Sequence, residues 1–209
     1  MLHHRVYTPP RALESYAPDD LVLPSLLPDN FSYLPGEYYS YADGSIDIEY
    51  KKVAIFVDGS CLGNGTDSAR AGLGVFFGRC SSYNISKPLL CRVKATNQRA
   101  EIFAAILALM KIEHLALAGN FPSTEAVLIT DSAYIVNAMT RWIVDWKNPT
   151  TWWTRADGKP VDSRREFEEL DNQLNRLKDV FGISVRFWLV PRTYNTRADE
   201  LARKAASRA

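Results

Sequence analysis

The stretch VAIFVDGSCLGNG, residues 53–65, decides how this chain is read. Five apolar residues, Val53-Ala54-Ile55-Phe56-Val57, run from a pair of lysines to a carboxylate, Asp58. A short apolar run rich in β-branched side chains predicts a strand buried on both faces. A core-bound strand that stops on a charge holds that charge stiffly at the end of a sheet. The residues that follow, Gly59, Ser60, Gly63 and Gly65, carry almost no bulk, and Asn64 sits among them. Such a loop lets another backbone come close.

Outward from that strand the pattern repeats with variations. GLGVFFG, residues 72–78, predicts a second strand, and a third is expected near Leu89–Val93, completing an antiparallel meander. Gln98 to about Leu117 has a long helical period rich in Ala, Leu and Ile. Then come a strand over Ala126–Thr130, a short helix over Ser132–Thr140 and a polar, tryptophan-rich segment over 141–163. A helix over Arg164–Lys178, a strand over Val185–Val190 and a helix over Thr196–Ala206 end the chain. Three strands followed by alternating helices and strands imply an α/β protein, a mixed sheet with helices packed on it. Residues 1–50 are of another kind: they hold six of the eleven prolines and seven of the ten tyrosines and show no sustained period. They are expected to form an extended arm, held by Leu, Tyr and Phe contacts to the domain or to a protein partner, with the domain proper at 51–209.

The net charge of +1 hides an asymmetry. Residues 1–50 carry two basic residues against eight acidic ones, a net −6, and residues 51–209 carry 23 basic and 16 acidic, a net +7. A basic domain with an acidic arm suits a polyanionic partner, although +7 is also within ordinary surface scatter. Cys61, Cys80 and Cys91 form no C-x-x-C pair, which argues against a structural zinc site or a disulfide framework and fits a reducing, intracellular compartment. No apolar run approaches the ~20 residues of a membrane span, so no membrane association is expected. The opening residues lack the apolar core of a secretory signal. Glu14, Asp19 and Asp20 argue against a mitochondrial presequence; nucleus and cytoplasm are the expected compartments, with the mitochondrion left open. A monomer is expected.

Four carboxylates stand at element ends: Asp58 after the first strand, Glu101 at the start of the long helix, Asp131 directly after AVLIT, and Asp199 at the start of the last helix. Each has an ordinary structural reading taken singly. Glu101 and Asp199 suit the positive end of a helix dipole, Thr196 to Asp199 has capping-box spacing, and Asp58 and Asp131 suit turns. Taken together, one sheet edge can gather all four, and four carboxylates in one place repel unless cations neutralise them. A carboxylate-only site suits Mg²⁺, and two such ions about 4 Å apart stabilise both the attacking and the leaving oxygen of a phosphodiester displacement.

VDGSCLGNG, ATNQRAEIFAAILAL, LITDSAYIVNAMTRWIVDWK, WWTRADGKPVDSRREFEEL and ADELARKAA, in that order, resemble type 1 ribonuclease H, most of all the eukaryotic form, over residues 52–206. The resemblance implies a ribonuclease H-like fold: a five-stranded mixed sheet, three antiparallel strands then parallel ones, with helices on both faces. It implies metal-dependent endonucleolytic cleavage of the RNA strand of RNA–DNA hybrids by two Mg²⁺, for which Mn²⁺ can substitute. By motif, Asp58, Glu101, Asp131 and Asp199 match the catalytic metal ligands, with Glu101 also meeting a ribose 2′-hydroxyl. Asn64, Thr96, Asn97 and Gln98 match residues that read the hybrid. Lys94 stands where the eukaryotic form has an Arg beside Thr96, keeping the charge but losing the bidentate fork. Ser163 falls where that phosphate pocket has an Asn; Thr96-Asn97 also reads as a helix N-cap. Trp142, Trp146, Lys147 and Trp153 belong to a segment, 141–159, that holds four of the five tryptophans and resembles the family's basic protrusion. Basic residues interleaved with aromatics suit phosphates and base or sugar faces; the alternative is a tryptophan cluster packed under a loop, with Trp142 the expected buried member.

One departure stands out. Where the family has a glycine-rich loop with a His, this chain reads VPRTYNTRADELA, shorter and without the glycines, the His or the Glu; Asn195 matches the motif Asn. That loss bears on turnover and metal preference, and Arg192 or Tyr194 is available in its place. It favours an alternative, a catalytically weakened module of the same fold that binds RNA–DNA hybrid or double-stranded RNA. Integrases and exonucleases share the fold but lack TNQRAE together with the tryptophan-rich segment.

Overall fold

The computed structural model describes residues 2–25, 31–39, 44–90 and 94–209. The arm contributes a helical turn, α1 (Pro18–Leu21), and two strands, β1 (Leu23–Pro24) and β2 (Ser32–Tyr39). A meander follows: β3 (Ile46–Leu62), β4 (Arg70–Phe76) and β5 (Ile85–Pro88). Next come α2 (Asn97–Leu117) and β6 (Glu125–Thr130). A broken helix follows, made of α3 (Ala133–Asn137), a π-helical turn (Ala138–Trp142) and α4 (Ile143–Trp146). The chain ends with α5 (Arg164–Phe181), β7 (Ser184–Leu189) and α6 (Thr196–Ala206).

β3 organises the sheet because Val53–Val57 is apolar on both faces. β4 runs antiparallel to it from Phe56↔Phe76 to Leu62↔Arg70, and β5 runs antiparallel to β4. β6 is parallel to β3, and β7 is parallel to β6. These five strands are the mixed sheet implied by the resemblance. The described sheet has seven, because β2 pairs with β3 from Tyr39↔Ile46 to Ser32↔Ala54 and β1 pairs with β2. Val53 faces Tyr33 across one edge and Ala126 across the other, so β2 lies on the same edge as β4, end to end with it. Pro35 and Gly36 hide this strand in the sequence, since a proline cannot donate to a ladder; the register shifts at Leu34/Pro35, which is where the ladder tolerates it.

Three expectations are corrected. The strand does not stop at Asp58: β4 carries the ladder through Asp58↔Gly74 to Leu62, and the turn begins later, with Gly63 and Gly65 at positive φ. The third strand lies at Ile85–Pro88, earlier than expected, and Cys91–Val93 of the expected span fall outside the described residues. The short helix does not end at Thr140 but passes through the π-turn to Trp146.

Alternation along β3 sorts the core into two layers. Val53, Ile55 and Val57 pack with α2 and α5, while Ala54 and Phe56 pack with Val127, Ile129 and Ala198 of α6 and with Tyr7, Leu21 and Leu34 of the arm. The arm therefore supplies part of a buried layer. Tyr7 donates its hydroxyl to Pro35 O at 2.9 Å and sets its ring 5.2 Å from Trp188. Two glycines fix how closely the helices lie. A Cβ on Gly59 would stand 2.1 Å from Glu101 N, and one on Gly74 2.1 Å from Ala198 O. Gly59 thus seats α2 on β3 directly beside Asp58. Among the described residues no helix is long and apolar enough to cross a membrane.

Candidate active site and nucleic-acid interface

The four acids arrive on four elements at one end of the sheet. Asp58 is held in β3 and is 8% exposed. Glu101 lies one turn into α2, whose first turn holds no acid, so a dipole role is weaker for it than its sequence position suggested. Asp131 follows β6. Asp199, buried, opens α6, and its carboxylate turns towards arginines instead of closing a capping box with Thr196.

Asp58 feels the others. Burial and then the charge of Asp131 push its carboxyl up to about 7; Asp199 and Glu101 add to this, and a backbone hydrogen bond from Gly59 opposes it. Glu101 is also raised, by burial first and by Asp131, against a hydrogen bond from Ser132 and the charge of Arg192. Each carboxylate has found a local donor. Glu101 accepts from Asn97 Nδ2 at 2.9 Å and Ser132 Oγ at 2.6 Å. Asp131 accepts from Asn195 Nδ2 at 2.6 Å, and the same fully buried amide donates to Val57 O at 3.0 Å. Asp199 accepts from Arg192 Nη2 at 2.8 Å and from Arg203 Nε at 2.7 Å. Arg192 is raised by its hydrogen bond to Asp199 and by the charges of Asp199, Asp131 and Asp58.

By donor chemistry these residues fit hard divalent cations: all-oxygen ligands, mutually repelling, with one carboxyl driven towards protonation by burial and by its neighbours' charge. As they stand, no three His, Cys, Asp or Glu side chains among the described residues are grouped to hold an ion. The donors above account for this: Arg192 and Arg203 turn Asp199 to themselves, and Ser132 with Asn97 holds Glu101.

The substrate-contact candidates divide into two groups. Asn64, Thr96, Asn97 and Gln98 lie together at the start of α2. Asn64 Oδ1 accepts from Asn97 N at 3.3 Å, Thr96 Oγ1 caps the helix by accepting from Arg99 N at 3.2 Å, and Gln98 is exposed. Lys94 is exposed, with Nζ 3.4 Å from Gly65 O. The second group lies across a groove of about 740 Å³ that Gln98 shares with Tyr134, Trp142 and Arg155.

Here the structure corrects the assignment of the tryptophans. Trp146 and Trp153 are the buried ones, at 6% and 3% exposure, and Trp142 is 37% exposed. The Trp146 ring sits 5.5 Å from Trp153 and 5.2 Å from Phe167, so neither buried ring is free to stack on a base. The π-turn rotates the helix, placing Trp146 inward and Trp142 at the rim. Trp153 has φ 56°, an unusual backbone for a bulky residue, fixed by Trp153 N donating to Trp146 O and Val161 N donating to Trp153 O. Ser163, at 4% exposure, precedes α5 without a side-chain cap bond. Lys147 donates to Asp171 Oδ2 at 2.7 Å. Arg155 and Lys159 have Asp157 and Asp162 beside them, so the segment is less basic than its lysines and arginines suggest.

Sequence reasoning missed Ser132 and Arg203, and gave Asn195 too little weight. Ser132 directly follows Asp131 as the cap of α3, and Arg203 is one turn beyond Asp199; both spacings were legible.

Comparison with known proteins agrees with this geometry. The RNase H family model matches residues 50–207. Ribonuclease H1 of Mus musculus is 36% identical over 160 residues, covering 75% of this chain and 50% of the mouse protein. The chain thus spans half the length of that relative. Ribonuclease H of Escherichia coli (strain K12 / DH10B) is 34% identical over 160 residues, 75% of this chain and 90% of the bacterial protein. Among solved structures, LC11-RNase H1, isolated from compost by a metagenomic approach, superposes with a TM-score of 0.52 at 26% identity, covering 76% of this chain and 97% of that one. The four gathered acids, the mixed sheet and these matches lead to one assignment: the chain belongs to the RNase H family, in its type 1 branch.

Proposed function

We propose that this protein is a metal-dependent endonuclease that hydrolyses the RNA strand of RNA–DNA hybrids, with two Mg²⁺ as its ions and Mn²⁺ able to replace them. The observation that carries the reading is the charge gathered on Asp58, whose carboxyl is pushed up to about 7 by burial and by three neighbouring acids. Asp58, Glu101, Asp131 and Asp199 would hold the ions. Divalent ions held there would neutralise the carboxylates and supply countercharge for the attacking and leaving oxygens of a phosphodiester. The chain's own residues do the positioning. Asn195 ties Asp131 to the β3 backbone, and Ser132 and Asn97 orient Glu101. Asn97 in turn links to Asn64, so Glu101 sits beside the residues matched to hybrid reading, where a ribose 2′-hydroxyl distinguishes RNA from DNA.

A second reading has its own observation: Arg192 and Arg203 hold both oxygens of Asp199. These two cations compete with a metal ion for the same carboxylate, which favours slow turnover and, at the limit, a hybrid-binding module. The test is cleavage of an end-labelled RNA–DNA hybrid in Mg²⁺, Mn²⁺ or EDTA, with enzyme in excess and with substrate in excess. RNA-strand cleavage in a single turnover, abolished by EDTA and faster than steady-state turnover, is expected. Tight hybrid binding with no single-turnover cleavage in either metal would replace the nuclease by the binding module, and absence of both would end the reading.

A further inference from the structure

One residue of the arm, outside the span matched by the family, reaches beneath the tryptophan-rich segment. Arg5 is almost fully buried, and its Nη2 lies 2.7 Å from Asp171 Oδ1 on α5. The other oxygen of that carboxylate, Oδ2, accepts from Lys147 Nζ at 2.7 Å. Two cations therefore share one buried anion, and they are not equivalent. The Arg5 side chain is 9% exposed and the Lys147 side chain 53%. Arg5 is further fixed by donating from Nη1 to Met139 O at 3.3 Å and from Nη2 to Asn175 Oδ1 at 3.2 Å. Met139 belongs to the π-turn, and the neighbouring carbonyl, Thr140 O, accepts from Leu2 N at 2.6 Å. The first residues of the arm thus satisfy two carbonyls of the turn that leads into α4 and Lys147.

We infer that Arg5 is a positioning residue for nucleic-acid binding: by neutralising Asp171 from inside, it leaves the outer cation, Lys147, free to transfer to a backbone phosphate. This rests on the hybrid-binding reading proposed above. The physical argument concerns what Asp171 becomes when Lys147 leaves. A buried carboxylate stripped of all countercharge is strongly destabilising. With Arg5 in place, the carboxylate keeps a charge-assisted hydrogen bond and Lys147 can go. Without Arg5, Lys147 is the only cation within bonding distance among the described residues, and Asn175 Nδ2 at 3.4 Å offers a neutral contact alone. Lys147 is then bound to stay.

The test uses the full chain and the substitutions Lys147→Ala, Arg5→Met, Arg5→Lys and the pair Arg5→Met/Asp171→Asn. Two quantities are read: the slope of log affinity against log salt for an RNA–DNA hybrid, and the acetylation of Lys147 by a small amine-reactive reagent in protein without nucleic acid, followed by mass spectrometry. Lys147→Ala and Arg5→Met should each lower the slope by about one unit, the loss of one phosphate contact. Arg5→Lys should keep the slope, and the pair should restore it, because nothing then detains Lys147. Acetylation should fall several-fold in Arg5→Met and recover in the pair. Should Arg5→Met fail to fold, Arg5→Lys and the pair still decide. A pair variant that stays at the low slope would mean that Arg5 serves only the fold, and unchanged acetylation in folded Arg5→Met would overturn the proposal outright. Flat, salt-independent hybrid binding by the wild type beside the expected acetylation pattern would instead remove the hybrid-binding reading, and this proposal with it.

Discussion

The carboxylate centre and the tryptophan-rich segment lie on either side of the start of α2, yet they are built in opposite ways. The acids ride on regular elements: the ladder of β3, the end of β6, the second turn of α2 and the first turn of α6. Their places follow from strand and helix periods and from one glycine, Gly59, that lets α2 approach. The segment after β6 is a helix broken by a π-turn, a residue with φ 56° and a stack of rings. Its foundations lie elsewhere in the chain, in Phe167 and Asp171 of α5 and in Leu2 and Arg5 of the arm. Regular elements keep a charged site stiff at the expense of electrostatic strain within it. An irregular segment can present several rings, but only tertiary contacts decide which of them face water.

The strongest way to test the first half of that contrast is Asp58→Asn. Cleavage of hybrid should fall to background while the metal-free protein becomes more stable. The sign follows from linkage. The folded carboxyl titrates at about 7 and an unfolded one near ~3.9. The folded state therefore holds the proton more tightly, and stability that is fully present below about pH 4 is lost as pH rises through 7. An amide has no such loss. Melting in EDTA should show no gain for the variant at pH 4 and a gain of about 2 kcal/mol or more at pH 8. A variant less stable than wild type at pH 8 would break the claim that the centre is electrostatically strained.

Legibility divides along the same line. Asp58, Glu101, Asp131 and Asp199 could be proposed from the sequence because each stands next to an apolar run or near the start of a helical period, and β3, α2, β6 and α6 were visible as such patterns. β2 was not visible, because Pro35 and Gly36 interrupt the pattern and its partner stretch, Ile46–Lys52, is largely exposed. The orientation of the tryptophans was not visible either. A π-turn changes the residues per turn, so the spacing Trp142–Trp146 does not say which ring points inward. The Arg5–Asp171 pair spans 166 positions of sequence, and no local signal announces it.

Trp146→Ala tests the second half of the contrast with a smaller expected effect. The ring is buried among Trp142, Trp153 and Phe167, at 5.8, 5.5 and 5.2 Å. Truncating a buried Trp costs about 3–5 kcal/mol, and urea unfolding should show a loss of that order. The carboxylate centre sits on other elements, so the protein that remains folded should keep its Asp58-dependent pH behaviour. Near wild-type stability would mean that the stack is a surface feature after all, and would return Trp146 to the list of rings able to meet nucleic acid.

Trp142→Ala is the complement, and its effect should be the smallest and the most selective. The ring is 37% exposed, lies 6.0 Å from Tyr134 and lines the groove shared with Gln98 and Arg155. Half-exposed at the rim, it leaves no closed cavity when removed, so unfolding should shift by no more than about 1 kcal/mol. If the ring stacks on a base or sugar, hybrid affinity should weaken by about 1–3 kcal/mol. Trp152→Ala supplies the control, because that ring is also exposed but is covered by the Arg164 guanidinium at 4.9 Å. Its loss should leave hybrid affinity nearly unchanged and cost the fold about 0.5–1 kcal/mol for the cation–π contact. Binding and melting measured on both variants separate the two exposed rings. Equal losses of affinity would mean that the segment binds through charge alone, with its aromatic rim serving only to shape the loop.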